Sequence, residues 1–121
     1  PPLANSKLVL IPVPWEPTSS YGGGTSKAPR AIVQASHQMD LEDSYFQGAY
    51  KKGITLGEEG LAKVEEWNEK AFQASVEARK ALKQEKDSYC RRVDRYSEKV
   101  NHWLCEKSLK LLDAGKKVAV I

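Results

Sequence analysis

Apolar residues fall along this chain in two kinds of pattern, short unbroken runs near the ends and a helical stripe between them. Leu8-Val9-Leu10-Ile11-Pro12-Val13 is a continuous apolar run rich in branched side chains. Such a run suits a strand buried on both faces, as in a parallel sheet. Pro12 and Pro14 bring no ladder donor, so they are expected where the strand ends and the chain turns away. Lys116-Lys117-Val118-Ala119-Val120-Ile121 reads the same way, as a second core strand. From Glu58 the spacing is helical: Leu61, Val64, Asn68, Ala71, Phe72, Ser75 and Leu82 recur every three or four residues, and Trp67 and Val76 widen the stripe. A second stripe runs through Tyr89, Val93, Tyr96, Val100, Trp103, Leu104, Ser108 and Leu111.

The polar stretch Lys83–Ser88 lies between these stripes without Gly or Pro. It is expected to hold a tight turn or a kink, and two antiparallel helices packed along their stripes are the favoured arrangement. Gly115 suits the position just past the second helix, with Lys110 in its last turn. Earlier in the chain, Trp15 to Lys27 is a loop containing Tyr21-Gly22-Gly23-Gly24-Thr25. Pro29 fits the first turn of a helix running through Arg30, Ile32, Val33 and Ala35 to about Gln38. Met39 to Gly57 reads as irregular, with a short strand at Ile54-Thr55-Leu56.

Helices separating apolar strands make an incomplete parallel sheet with open edges. The expectation is therefore one partial α/β domain. Residues 1–57 supply the first strand, the Gly-rich loop and the first helix; 58–114 form a helical hairpin; 116–121 form the second core strand.

Composition narrows the choice of function. Hydrophobic residues make up 40% and charged residues 29% of 121, which is ordinary for a folded domain. The net charge of +3 is spread evenly: five basic against four acidic residues up to Gly57, fourteen against twelve beyond it. A nucleic-acid reader concentrates its charge on one face, so no nucleic-acid partner is expected. No run approaches the roughly 18 apolar residues of a membrane span, and no membrane partner is expected. Pro1-Pro2-Leu3-Ala4-Asn5 lacks the basic start and apolar run of a secretory leader. Cys90 and Cys105 suit neither a disulfide framework nor a zinc site, and free thiols point to a reducing, cytoplasmic location.

Gly22-Gly23-Gly24-Thr25-Ser26-Lys27 invites a phosphate-loop reading, but a Walker loop places Lys before the hydroxyl residue and this order is reversed. The dinucleotide fingerprint fails as well, because Lys27 stands where its third Gly belongs. The loop is then either a tight structural turn or one that faces a substrate, since loops after strand carboxyl ends line sites in α/β sheets. On the second reading Trp15, Glu16, Tyr21, Gly22, Gly23 and Gly24 are the substrate-loop candidates. His37 and His102 have no ligand partner at metal spacing, and both read as helix-surface residues. The aromatic set Trp67, Phe72, Tyr96 and Trp103 is expected to fill a core.

The segment from Leu10-Ile11-Pro12-Val13-Pro14-Trp15-Glu16 through Ser20-Tyr21-Gly22-Gly23-Gly24-Thr25 to Ala28-Pro29-Arg30-Ala31-Ile32 resembles the opening of ureohydrolases, the agmatinase/arginase family. There a first strand ends in G/S-V-P-[WYF]-[DE], a loop with S-Y-x-x-G-T-x-x-G-P follows, and a helix begins P-x-A-I. Ala28 departs from the usual Gly before Pro29. Ala35-Ser36, then Gln38 and Asp40-Leu41, also look like the family's helix end and the D-L/D-F element that follows it. Ala114-Gly115-Lys116-Lys117-Val118-Ala119-Val120-Ile121 looks like the strand that precedes its Gly-Gly-Asp-His motif.

The resemblance implies the N-terminal part of a three-layer α/β/α sandwich with a parallel sheet, arginase-like, carrying a long helical hairpin. It implies hydrolysis of a guanidino C–N bond to urea and an amine, with a hydroxide shared between two manganese (or nickel) ions. The remainder of a ureohydrolase chain, a small guanidino substrate and a homo-oligomer, trimer or hexamer, are the implied partners. The implied ligand motifs, Gly-Gly-Asp-His, D-A-H-x-D and D-x-D-x-x-D-P, are not found in this sequence, so neither a metal ligand nor a catalytic residue is assigned in this chain, and the chain alone is expected to be inactive. The competing reading is a non-catalytic interaction module built on the helical hairpin.

Overall fold

A computed structural model describes residues 1–19 and 21–121. Its centre is a three-stranded parallel sheet of β1 (Leu8–Ile11), β2 (Ile54–Leu56) and β3 (Lys117–Val120), in the order β2-β1-β3. Leu8, Val9 and Leu10 lie opposite Ile54, Thr55 and Leu56 on one side, and Leu8 to Ile11 lie opposite Lys117 to Val120 on the other. All three expected strands are present, with the brief Ile54–Leu56 run as one edge.

The prolines behave as their chemistry requires. Leu8 N–H bonds Gly53 O and Leu10 O accepts from Gly57 N–H, so the even positions of β1 serve β2. Ile11 O accepts from Ile121 N–H, and Val13 N–H bonds Ile121 O at 2.8 Å, so the odd positions serve β3. Pro12 therefore falls on the β2 side just beyond the end of β2, where no donor is called for. The expected strand to Val13 is regular only to Ile11, although the β3 ladder continues past it.

The sheet is not equally covered on its two faces. Val9 and Ile11 are fully buried, whereas Leu8 and Leu10 are half-buried. A groove of about 650 Å³ runs past Leu8 and Ile54 beneath Met39, Leu41 and Tyr50. The expected burial on both faces thus holds for one face only.

The helices are α1 (Ala28–Ala35), α2 (Leu61–Lys80) and α3 (Lys83–Asp113). Pro29 lies in the first turn of α1, and a 3-10 turn extends that helix over Ser36–Gln38. α2 and α3 form an antiparallel hairpin: Lys107 reaches Glu59, Trp103 lies against Gly60, and Lys99 stands over Trp67. The break falls at Ala81-Leu82, both extended, earlier than the polar stretch suggested. Lys83–Ser88 opens α3 instead, because its straight-chain residues are good helix formers and nothing in it stops a helix. Leu82, counted in the first stripe, is 79% exposed in this link.

The seam of the hairpin also differs from the expected aromatic core. Val64, Ala71, Ala74, Ser75 and Ala78 of α2 are buried, with Val93 and Val100 of α3. Small residues let the two helices approach closely, and large rings are left at the margins. Trp67, Tyr96 and Trp103 are half-buried and Phe72 is exposed. Lys99 stands over the Trp67 and Tyr96 rings, and Lys107 over Trp103, at cation–π distances.

Past α3 the chain reverses in a Schellman turn. Lys116 N–H bonds Leu111 O and Gly115 N–H bonds Leu112 O, with Gly115 at φ +71°. Lys116 then fastens the front of the chain to β3, its ammonium donating to the carbonyls of Leu3, Ala4 and Ser6 at 2.8–3.0 Å. Among the described residues no helix is long and apolar enough to cross a membrane.

The start of α2 allows a direct check. Gly60 sits there at φ +83°, and a Cβ at this position would collide with the Trp103 indole nitrogen. Gly60→Ala is expected to cost about 1–3 kcal/mol from backbone strain alone. The readout is a lower urea midpoint at unchanged slope. An unchanged midpoint would show that this packing does not contribute to stability.

Candidate functional site

Three strand ends and the segments that leave them define one end of the sheet. Pro12 to Ser26 leaves β1, Gly57 to Gly60 leaves β2, and Ile121 follows β3. The Gly-rich loop departs from this end, where α/β sheets place their sites.

Glu16 organises the loop. Its Oε1 accepts from Gly24 N–H at 2.7 Å, and its Oε2 accepts from Gly24 N–H at 2.9 Å and from both the Ser26 N–H and the Ser26 hydroxyl at 3.0 Å. Gly24 has φ +129°, open in practice to glycine alone, and its N–H faces the carboxylate. Gly23 packs so near that a Cβ there would lie 3.5 Å from Glu16 Oε1. A 3-10 turn at Thr25–Lys27 leads into α1, so the carboxylate sits against the N-terminal end of a helical segment, where N–H groups lack partners. The amides that a phosphate loop would offer are thus already bonded to a carboxylate of the chain itself.

The same residue is held from behind. Glu16 N–H donates to Asn68 Oδ1 at 2.6 Å, which ties the loop to α2. Asn68 appears in the sequence only as one of two polar positions, with Ser75, in a mainly apolar stripe. That misfit was the sole signal of its role.

The six loop candidates divide by environment. Trp15 and Glu16 are half-buried, and Trp15 N–H bonds Val13 O across Pro14. Tyr21 is fully exposed at the loop's tip, beside Gly22, which has φ +70° and whose carbonyl accepts from the Ser19 hydroxyl. Gly23 and Gly24 are exposed yet face Glu16. The structure therefore brings Glu16, Gly23 and Gly24 together and leaves Tyr21 apart from them. Ser20, part of the motif, lies outside the described residues.

Beside this loop a cavity of about 280 Å³ opens between Pro12, Pro14, Pro29 and Leu56, with Glu58 and Glu65 among its polar lining. Arg30 lines it too, so its charge is mixed. It is assembled from segments distant in sequence, and no local motif announces it.

The residues described do not fit a metal centre. Among them no group of three or more His, Cys, Asp or Glu is placed to hold a metal ion. His37 Nδ1 is 3.1 Å from Gln34 O, and His102 pairs with Glu106 one turn along α3. Cys90 and Cys105 are exposed free thiols. The two metal ions implied by the resemblance therefore have no set of ligands among the described residues.

The Glu16 carboxyl is held below the ordinary value of 4.5, chiefly by the Ser26 N–H and further by Gly24 and the Ser26 hydroxyl, against an opposing effect of burial. A lowered folded value means that this contribution to order is complete above 4.5 and is lost as pH falls through the folded value. Hydrogen exchange at Gly24 and Ser26 is expected to be protected at neutral pH and to lose that protection below 4.5. Glu16→Gln should weaken the protection several-fold and remove its pH dependence. A wild-type profile flat across that range would refute the arrangement.

Comparison with known proteins adds one partial likeness. The chain is 38% identical over 40 residues to the N(1)-aminopropylagmatine ureohydrolase of Synechocystis sp. (strain ATCC 27184 / PCC 6803 / Kazusa). The shared stretch covers 33% of this chain and 13% of that relative's length. No family model and no solved structure matches the chain. A third of this α/β chain is thus similar to a ureohydrolase.

Proposed function

We propose that this chain forms the N-terminal part of a metal-dependent ureohydrolase of the agmatinase type, which hydrolyses a guanidino C–N bond to urea and an amine. The observation that carries this reading is the 38% identity over 40 residues to a curated ureohydrolase. The parallel sheet with a Gly-rich loop at its carboxyl end is consistent with it. In this reading the sheet is the start of a three-layer α/β/α sandwich. The metal ligands and the catalytic groups come from chain not represented in these 121 residues. Two manganese or nickel ions would supply the activated hydroxide. The oligomeric, cytoplasmic setting implied by the family belongs to the same proposal.

The role proposed for the residues at hand is to shape the substrate side of the pocket. Glu16 holds the loop through its interior bonds, and Tyr21 is the side chain left free to meet a ligand. The substrate is a small guanidino compound.

The test is urea release by the full-length protein from agmatine, arginine, guanidinobutyrate and guanidine, with manganese or nickel supplied. Residues 1–121 alone serve as the control. Metal-dependent urea release from at least one substrate is expected from the full-length protein, and none from the control. No release from any substrate with either metal would sink the proposal.

A further inference from the structure

We propose that the helical hairpin sets the shape of the Gly-rich loop through Asn68, which acts on Glu16 as a positioning residue. The hairpin and the loop are far apart in sequence, and one hydrogen bond, Glu16 N–H to Asn68 Oδ1 at 2.6 Å, joins the backbone that carries the loop's organising carboxylate to α2. That carboxylate in turn gathers Gly24 N–H, Ser26 N–H and the Ser26 hydroxyl. The route from hairpin to loop is therefore continuous: α2, Asn68, Glu16, then Gly24 and Ser26.

Asn68 is well suited to this task. It lies one turn from Val64 and from Ala71 of the hairpin seam, so its backbone is held by buried neighbours. Its amide oxygen is a neutral acceptor, which adds no charge beside the Glu16 carboxylate. Glu16 follows Pro14 and Trp15, and Pro17 after it is buried, so its backbone has little freedom to find another partner. Removing the acceptor leaves the Glu16 N–H without its partner and lets the carboxylate drift from the two amides it collects.

The coupling makes the hairpin a support for the loop and not a separate module. That this loop meets a guanidino substrate rests on the function proposed above; the coupling itself does not.

Hydrogen exchange of the full chain, followed at Gly24 and Ser26 with pH, tests it. Asn68→Ala should raise exchange at both amides several-fold, and the pH at which protection is lost should move up towards 4.5. Protection in β1 and β3 should stay as it was. Asn68→Asp, which keeps an acceptor oxygen but sets a second carboxylate near Glu16, should restore the loop's protection at neutral pH only in part. Unchanged exchange at Gly24 and Ser26 in Asn68→Ala would overturn the proposal. So would a loss that extends equally to β1 and β3, since that would mark Asn68 as a residue of general stability. Urea release by the full-length Asn68→Ala protein separates the two ideas. A raised KM with kcat kept is expected if the loop meets substrate. If unaltered full-length protein releases no urea, the functional reading fails while the exchange result still decides the coupling.

Discussion

β1 is the strand on which the other elements depend, because it alone is hydrogen-bonded on both sides. Its even positions bond β2 and its odd positions bond β3, and Val9 and Ile11 are fully buried beneath the helical layer. Parallel pairing demands a crossover between successive strands. The first crossover, from β1 to β2, carries the Gly-rich loop and α1. The second, from β2 to β3, carries the hairpin. Both crossovers begin where strands end, so the loop after β1 and the start of α2 meet at one end of the sheet. The Glu16–Asn68 bond joins them there.

Lysine does much of the tying together, and it does so mainly through carbonyls. Lys116 gathers three carbonyls of the front segment, Lys7 bonds Gly115 O at 2.9 Å, and Lys107 bonds Glu59 O. These contacts give further donors to carbonyls of irregular backbone, of which Leu3 O also accepts from Ser6 N–H. Among the described residues the two side-chain ion pairs, Lys70–Glu66 and His102–Glu106, are each one helical turn apart. Such surface pairs contribute little. The Lys107 ammonium is pushed below its ordinary value by burial, with Glu59 opposing. A fold this rich in charge is held by buried aliphatic contacts and capped carbonyls, with its charges left largely to solvent.

Glu16 shows how a carboxylate in a glycine-rich loop can serve the loop's own backbone. An acidic side chain after a strand's carboxyl end could face a cationic substrate. Here its oxygens are turned inward, onto two backbone amides and a hydroxyl. The charge is spent on shaping the chain against the positive end of a helical segment. Tyr21, fully exposed, has no such internal employment. The loop thus separates into a part that builds its own form and a part that is presented outward.

Much of this was legible in the sequence by itself. Strand identity followed from unbroken apolar runs, and helix identity from three- and four-residue spacing. Pro12, Pro29 and Gly115 marked ends and starts, because a missing donor or a left-handed φ acts locally and needs no partner. Lys83–Ser88 opens α3 because nothing in it stops a helix, which leaves the link to Ala81-Leu82, and the aromatic set leaves the seam for a separate reason. Periodicity shows which residues share a face but not how closely two faces approach, and Ala74 and Ala78 won the seam over Phe72 because they are small. Only the tertiary structure decided that Asn68 meets Glu16, that Gly24 turns its N–H inward, and that one sheet face is covered while the other is grooved. Those are contacts between segments tens of residues apart, and their geometry is set by packing that no local pattern encodes.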